Sequence, residues 1–96
     1  MTVYAVALLN ITDRDEYQRY ADGFMEIFGG RGGQLLAVDE NPTVLEGEWP
    51  HTRTVLISFP NAEALDAWYR SPEYQALAQH RFNASTARIA VLNGLG

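Results

Sequence analysis

Apolar residues recur along the chain with two spacings, and the switches between them mark out the elements. Val3–Asn10 (VYAVALLN) is a short run of strand formers bounded by Asn10 and Asp13, which predicts a first strand. Tyr17, Tyr20, Ala21, Phe24, Ile27 and Phe28 then repeat every three or four positions, with Gln18, Arg19, Asp22 and Glu26 on the opposite side. That is the buried stripe of a helix over roughly 13–28. Asp13-Arg14-Asp15-Glu16 reads as its capping box, Asp13 accepting from first-turn amides and Glu16 reaching back. Gly29, Gly30, Gly32 and Gly33 end the helix, because glycine enters the left-handed conformation without steric cost. Gln34–Asp39 (QLLAVD) predicts a second strand, Asn41-Pro42 a turn, and Thr43–Glu46 (TVLE) a short extension pairing nearby. Gly47–Thr52 is a loop, since Pro50 bars a regular central strand. Arg53–Phe59 (RTVLISF) is the clearest strand of all. Asn61 caps a second helix, which Ser71-Pro72 restarts with a new cap and a proline at its first position. Leu65, Trp68 and Tyr69, then Tyr74, Leu77, Ala78 and Arg81, form its stripe, and Thr86–Asn93 (TARIAVLN) is the last strand.

The order β-α-β-β-α-β with right-handed crossovers gives an α+β domain. It is the ferredoxin-like arrangement, a four-stranded antiparallel sheet with two helices on one face, here expected as one domain over 1–96. The strand faces then bear on assembly. The first strand sets Val3, Ala5, Ala7 and Leu9 against Tyr4, Val6, Leu8 and Asn10; the third sets Val55, Ile57 and Phe59 against Thr54, Leu56 and Ser58; the fourth sets Ala87, Ile89 and Val91 against Arg88, Ala90 and Leu92. Both faces are largely apolar, whereas a solvated face alternates to polar. Two helices cover only one of them. A second copy packed sheet to sheet about a two-fold axis would cover the other, so a homodimer is expected.

Composition narrows the classes of function. Hydrophobic residues make up 47% of the 96 positions, enough for a packed core, and with no cysteine there is neither disulfide nor thiolate chemistry. The net charge is −5 and every basic residue is an arginine, scattered rather than striped. Nucleic acid and anionic membrane surfaces are therefore not expected partners. Val3–Leu9 is too short to span a bilayer and lacks the flanks of a signal peptide, so a cytoplasmic location is expected.

Several stretches resemble one family. Glu46-Gly47-Glu48-Trp49-Pro50, Val55–Pro60, Ala67-Trp68-Tyr69-Arg70-Ser71-Pro72-Glu73-Tyr74-Gln75 and Arg81 before the last strand are similar to the domain-of-unknown-function 1330 family, across nearly the whole chain. That family is placed in the dimeric α/β-barrel superfamily. The resemblance implies a ferredoxin-like protomer and a face-to-face dimer, and it implies no defined activity. Wider relatives include cofactor-free monooxygenases, isomerases, haem enzymes and ligand-sensing domains, among which fold does not choose.

The candidate chemistry is sparse, and each candidate has a structural alternative. His51 stands near Glu46 and Glu48 in sequence, a pairing suited to proton transfer, or is an exposed loop side chain. His80 suits the C-terminal end of the second helix. Trp49, Trp68, Tyr69 and Tyr74 either wall a pocket for a small carbonyl-bearing molecule or pack the core, with Trp49 also placed to plug the barrel's open end. Arg88 is expected to be buried within its strand and so to need a partner, proposed as Glu46 in an inter-strand or cross-dimer ion pair. That pair either fixes the dimer register or gives way to an anion. Two isolated histidines without cysteine make no zinc site, and the Gly29–Gly33 run follows a helix where a phosphate loop would open one. No cofactor or metal is expected. The chain is read as a homodimer binding or transforming a small organic molecule between sheet and helices. His51 and Tyr74 would handle protons, with Glu46, Trp49, Trp68, Tyr69, Arg81 and Arg88 as ligand contacts. The alternative is a non-catalytic ligand-binding or interaction module whose aromatics and arginines are structural.

Overall fold

The computed structural model describes residues 1–96. The elements run β1 (Val3–Ile11), α1 (Arg14–Phe28), β2 (Gln34–Asp39), β3 (Arg53–Phe59), α2 (Ala62–Tyr69), α3 (Pro72–Ala84) and β4 (Ser85–Asn93). The strands form one antiparallel sheet in the order β2-β3-β1-β4. Ala5 of β1 stands opposite Ile57 of β3 and Val91 of β4, which puts the smallest and the branched residues of three strands on one face. On that face Val3, Ala5, Leu9, Ile57 and Phe59 are buried together with Tyr17, Phe28, Trp68 and Tyr74 of the helices. This is the α+β, ferredoxin-like architecture that the periodicity predicts. No helix is long and apolar enough to cross a membrane.

Local chemistry explains where the elements begin and end. Asp13 Oδ1 accepts from the Glu16 amide at 3.1 Å, Asn61 Oδ1 from Ala64 at 2.8 Å, and Ser71 Oγ from Tyr74 at 3.2 Å. The Ser71 hydroxyl also donates to the Trp68 carbonyl at 2.8 Å, so one side chain closes α2 and opens α3. The predicted second helix is thus two helices on either side of Arg70-Ser71, because Pro72 at the first position of α3 has no amide to continue the earlier ladder.

Three local expectations are corrected. Glu16 does not reach back to its cap: the Asp13 amide already donates to the Ala84 carbonyl at 3.1 Å, which frees the Glu16 carboxylate for His80 Nδ1 (2.6 Å) and Arg19 (3.2 Å). Thr43–Glu46 forms no strand; it is exposed, between Pro42, which has no amide to pair, and Gly47, whose φ of 78° turns the chain away. The glycine run continues α1 through a 3-10 turn at Gly29–Arg31, and only Gly32, at φ 85°, is left-handed. Gly33 is glycine for room instead: a Cβ there would lie 2.4 Å from Phe28 Cε1 and 2.8 Å from Phe59 Cζ, both rings in the core.

The far face of the sheet carries no helix. Tyr4, Val6, Leu8 and Leu56 are half-buried there, and Leu92 is 53% exposed.

Candidate functional site

A cavity of about 380 Å³ lies between the helix-covered face of the sheet and the helices. It exists because β1 contributes only Ala5 and Ala7 to the middle of its floor, while Val55, Ile57, Ile89 and Val91 rise on either side. Phe24 of α1, with Leu65, Trp68 and Tyr69 of α2, walls it, and eighteen of its twenty-one lining residues are hydrophobic. The walls are braced by aromatic contact: Trp68 lies 4.3 Å from Tyr74 between centroids and 5.4 Å from Phe59. Trp68 is therefore both core and wall, and its indole N–H has no acceptor.

The polar groups gather where α1 begins and α3 ends. The Tyr20 and Tyr74 hydroxyl oxygens are 2.8 Å apart in the buried interior. Arg81, from the last turn of α3, lines the same cavity and is only 5% exposed. Its guanidinium carbon is 5.8 Å from the Tyr20 ring centre and 4.8 Å from that of Phe82. It makes no ion pair with a carboxylate, and its Nε and Nη2 have no hydrogen-bond partner. Burial by itself pulls the Arg81 guanidinium down. The oxygens of Tyr74, Tyr20 and Tyr69 around it outweigh burial, so its pKa lies above the ordinary arginine value and the group stays charged. Burial, then the neighbouring Tyr74 hydroxyl, pushes the Tyr20 phenol far above the usual tyrosine range, so it stays protonated at neutral pH. Tyr17 is also pushed up by burial, against the pull of Arg53 and Arg81. Arg53 completes the group, its guanidinium carbon 5.3 Å from the Tyr17 ring centre.

The candidates drawn from sequence divide between the two faces. Trp68, Tyr69, Tyr74 and Arg81 come together on the cavity. His51, Glu46, Trp49 and Arg88 do not line it. The Trp49 indole N–H donates to Thr54 Oγ1 at 2.9 Å, and Thr54 belongs to the far-face row with Leu8 and Arg88. His51 packs against Trp49 at 5.8 Å, so His51 and Tyr74 share no site. Arg88 is exposed in this chain rather than buried, because β4 is an edge strand whose far face nothing in the chain covers, and within the chain it makes no ion pair with Glu46. His80 is held by Glu16 between α1 and α3, outside the cavity. No three His, Asp or Glu side chains converge as ligands for a metal ion.

Sequence reasoning missed Tyr17, Tyr20 and Arg53. The first two were hidden in the apolar stripe of α1, where they count as core. The signal was their hydroxyls: two tyrosines one turn apart on a buried stripe need polar partners that phenylalanines would not.

A sheet order of β2-β3-β1-β4, helices on one face and an aromatic-walled cavity beneath them define a ferredoxin-like α+β protein with a candidate small-molecule site. The chain belongs to the family described as domain of unknown function (DUF1330), which it matches over residues 2–95. Solved structures share the fold at low identity. A protein of unknown function from Rhodopseudomonas palustris is 18% identical, with a TM-score of 0.81 over 99% of this chain and 83% of that one. SnoaB, a cofactor-independent oxygenase from Streptomyces nogalater, is 14% identical, with a TM-score of 0.70 over 99% and 94%. A dimeric ferredoxin-like protein of unknown function from Jannaschia sp. is 18% identical, with a TM-score of 0.70 over 98% and 100%. A comparison with curated proteins finds no match.

Proposed function

We propose that the protein is a homodimer that binds a small, mostly apolar organic molecule in the cavity between sheet and helices, through an acceptor oxygen on that molecule. The observation that carries this reading is Arg81: a buried guanidinium on the cavity wall with no carboxylate to neutralise it. Burial opposes this charge, and tyrosine oxygens rather than a carboxylate offset it, so a full counter-charge is still missing from the wall. A protein that needed Arg81 only for packing would do better with methionine. The unpartnered donors on the walls, on Arg81, Arg53 and Trp68, all call for the same thing, an oxygen that accepts.

Binding is favoured over acid–base turnover by what lines the cavity. It contains no histidine, and its one carboxylate, Asp66, is largely exposed and held by Arg70 at 2.7 Å. An oxygenase without a cofactor, as SnoaB is described, must draw electrons from its substrate, and that normally begins with a base taking a proton. This chain offers no free base there. The far sheet face supports the dimer: it is apolar, helix-free and continuous across β3, β1 and β4, and fold relatives from Jannaschia sp. and Bacteroides fragilis are described as dimeric.

A thermal-shift series with 2-naphthol, 1,4-naphthoquinone and 2-naphthoate tests the cavity, run on the natural protein and on Ala7→Leu. The larger side chain fills the floor where β1 is lowest. At least one compound is expected to raise Tm in the natural protein and none in the filled variant, whose own Tm stays level or rises. No response from the natural protein to any of the three, or an equal response from both proteins, removes the cavity as the site.

A further inference from the structure

The polar end of the cavity holds two arginines, and the only acid that reaches either of them is Glu40, from outside the cavity. Arg53 and Arg81 reach it from different elements, β3 and α3, and both act on the Tyr17 hydroxyl between them. The distances trace a continuous layer: the Arg53 guanidinium carbon lies 5.3 Å from the Tyr17 ring, Tyr17 lies 5.5 Å from Tyr20, and the Arg81 guanidinium carbon lies 5.8 Å from Tyr20. Glu40 does not complete the layer from inside. It is an exposed residue just past β2, and it takes Arg53 Nη1 at 3.2 Å together with Arg14 at 2.7 Å, while Arg53 Nε stays buried without an acceptor. Arg53 is thus anchored by an acid at its outer end and meets only the Tyr17 side chain at its inner one. Arg81 meets tyrosine oxygens and no carboxylate.

From this layer we infer that the cavity takes its ligand as an anion, a monocarboxylate with an apolar body, its carboxylate lying between Arg53 and Arg81 beside the tyrosine hydroxyls. This rests on the reading of the cavity as a ligand site and goes further by assigning the head group. One negative charge placed among two positive groups on the same low-dielectric wall gains from both. Guanidinium groups match the two oxygens of a carboxylate geometrically, and the hydroxyl of the Tyr20–Tyr74 pair that accepts the shared hydrogen bond keeps its own O–H to donate to oxygen. The rest of the wall sets the body. Phe24, Leu65, Ile57 and Val91 offer no donor and Trp68 offers one uncharged N–H, too little to repay a second charged group, so a dicarboxylate would strand one of its charges against hydrocarbon.

The discriminating pair is 2-naphthoate and 2-naphthamide, which share a shape and differ in charge. Calorimetric titration of the natural protein at pH 7 is expected to show the acid binding at least 30-fold more tightly than the amide. Arg53→Met and Arg81→Met are each expected to weaken the acid at least 10-fold and to leave the amide within about 3-fold. Circular dichroism melts confirm that both variants are folded, and the comparison on the natural protein needs neither variant. Equal affinities for acid and amide overturn the anion assignment and leave the cavity reading standing. Acid binding that Arg53→Met leaves unchanged overturns the two-arginine arrangement. If neither compound binds, and neither 2-naphthol nor 1,4-naphthoquinone shifts Tm, the cavity reading falls with it.

Discussion

Tyr20 and Tyr74 show what burying a polar atom requires. Each hydroxyl is paired with the other at 2.8 Å, 54 positions away in the chain, inside a mostly hydrophobic wall. Tyr74→Phe removes one partner and leaves Tyr20 desolvated with nothing to bond, a cost of about 1–3 kcal/mol. Removing both hydroxyls is expected to cost less than the sum of the single changes, because the double variant strands neither atom. Urea denaturation of Tyr20→Phe, Tyr74→Phe and the double variant measures that difference, and strict additivity would mean that the bond carries no coupling. The same pair shows why the site was only half legible in the sequence. Arg81 stood out because it continues an apolar stripe with Tyr74 and Ala78, and a charge on a buried helix face must be explained. Tyr20 did not, since nothing in an i, i+3 pattern distinguishes a tyrosine that packs from one that packs and also donates. His51 drew attention for its neighbours in sequence, Glu46 and Glu48, but β3 carries the loop away to the far side of the sheet. Proximity along the chain is a poor guide to proximity across a sheet.

The turn between α1 and β2 shows how an element boundary is set by its neighbours. Periodicity placed the end of α1 correctly, and the glycines were read as conformational relief. Only Gly32 serves that purpose. Gly33 instead admits the edges of Phe28 and Phe59, which meet at a centroid distance of 5.4 Å directly beneath it. That requirement is tertiary, so no local pattern expresses it. Gly33→Ala is therefore expected to destabilise by about 1–3 kcal/mol through overpacking of two fixed rings, whereas Gly30→Ala, whose Cβ would meet nothing within 4 Å, is expected to be close to neutral. Equal melting temperatures for the two variants would remove the packing explanation. The strands and caps were more legible than the turns because their rules are local. Alternation fixes which face a residue takes in β1, β3 and β4, though not across the register shift after Leu35 in β2, and an Asp, Asn or Ser before a helix accepts the orphan amides whatever lies beyond. The split of the second helix was likewise written in Ser71-Pro72. What pattern alone overstated was Thr43–Glu46, where β-formers stand in a segment with no neighbouring strand to pair with.

The protomer is a slab, 16 Å across its thinnest dimension, with helices on one side and bare sheet on the other. The apolar residues that sequence alternation puts on the bare side of β1, β3 and β4 are there: Val6, Leu56 and Ala90 fall in one cross-strand row, with Tyr4 and Leu92 in the next but one, and Ala37 of β2 joins the first row through a register shift after Leu35 that returns Val38 to the cavity side. The helices meanwhile leave Ile89 and Val91, on their own side of the edge strand, 42% and 50% exposed, so this chain has no helical surface to spare for the other face. A domain of this size buries only about 60–65% of its unfolded surface by itself, and the row of apolar residues is where further burial is available. Two copies meeting sheet to sheet place that row at the centre of the interface, with Arg88, Thr54 and Trp49 toward its rim. Light scattering behind size exclusion is then expected to give twice the 10.7 kDa of one chain at low micromolar concentration, and Tm is expected to rise with protein concentration. Leu56→Arg places a charge in the middle of the row. In the free protomer Leu56 is already half-exposed on the helix-free side, so the arginine side chain has water to reach and the helix-side core is untouched. The variant is expected to run as a folded monomer with a lower, concentration-independent Tm. It should still bind whatever the natural protein binds, since the cavity lies on the opposite, helix-covered face of the sheet. A natural protein that is monomeric throughout this range would leave the apolar row without an occupant and end the dimer proposal.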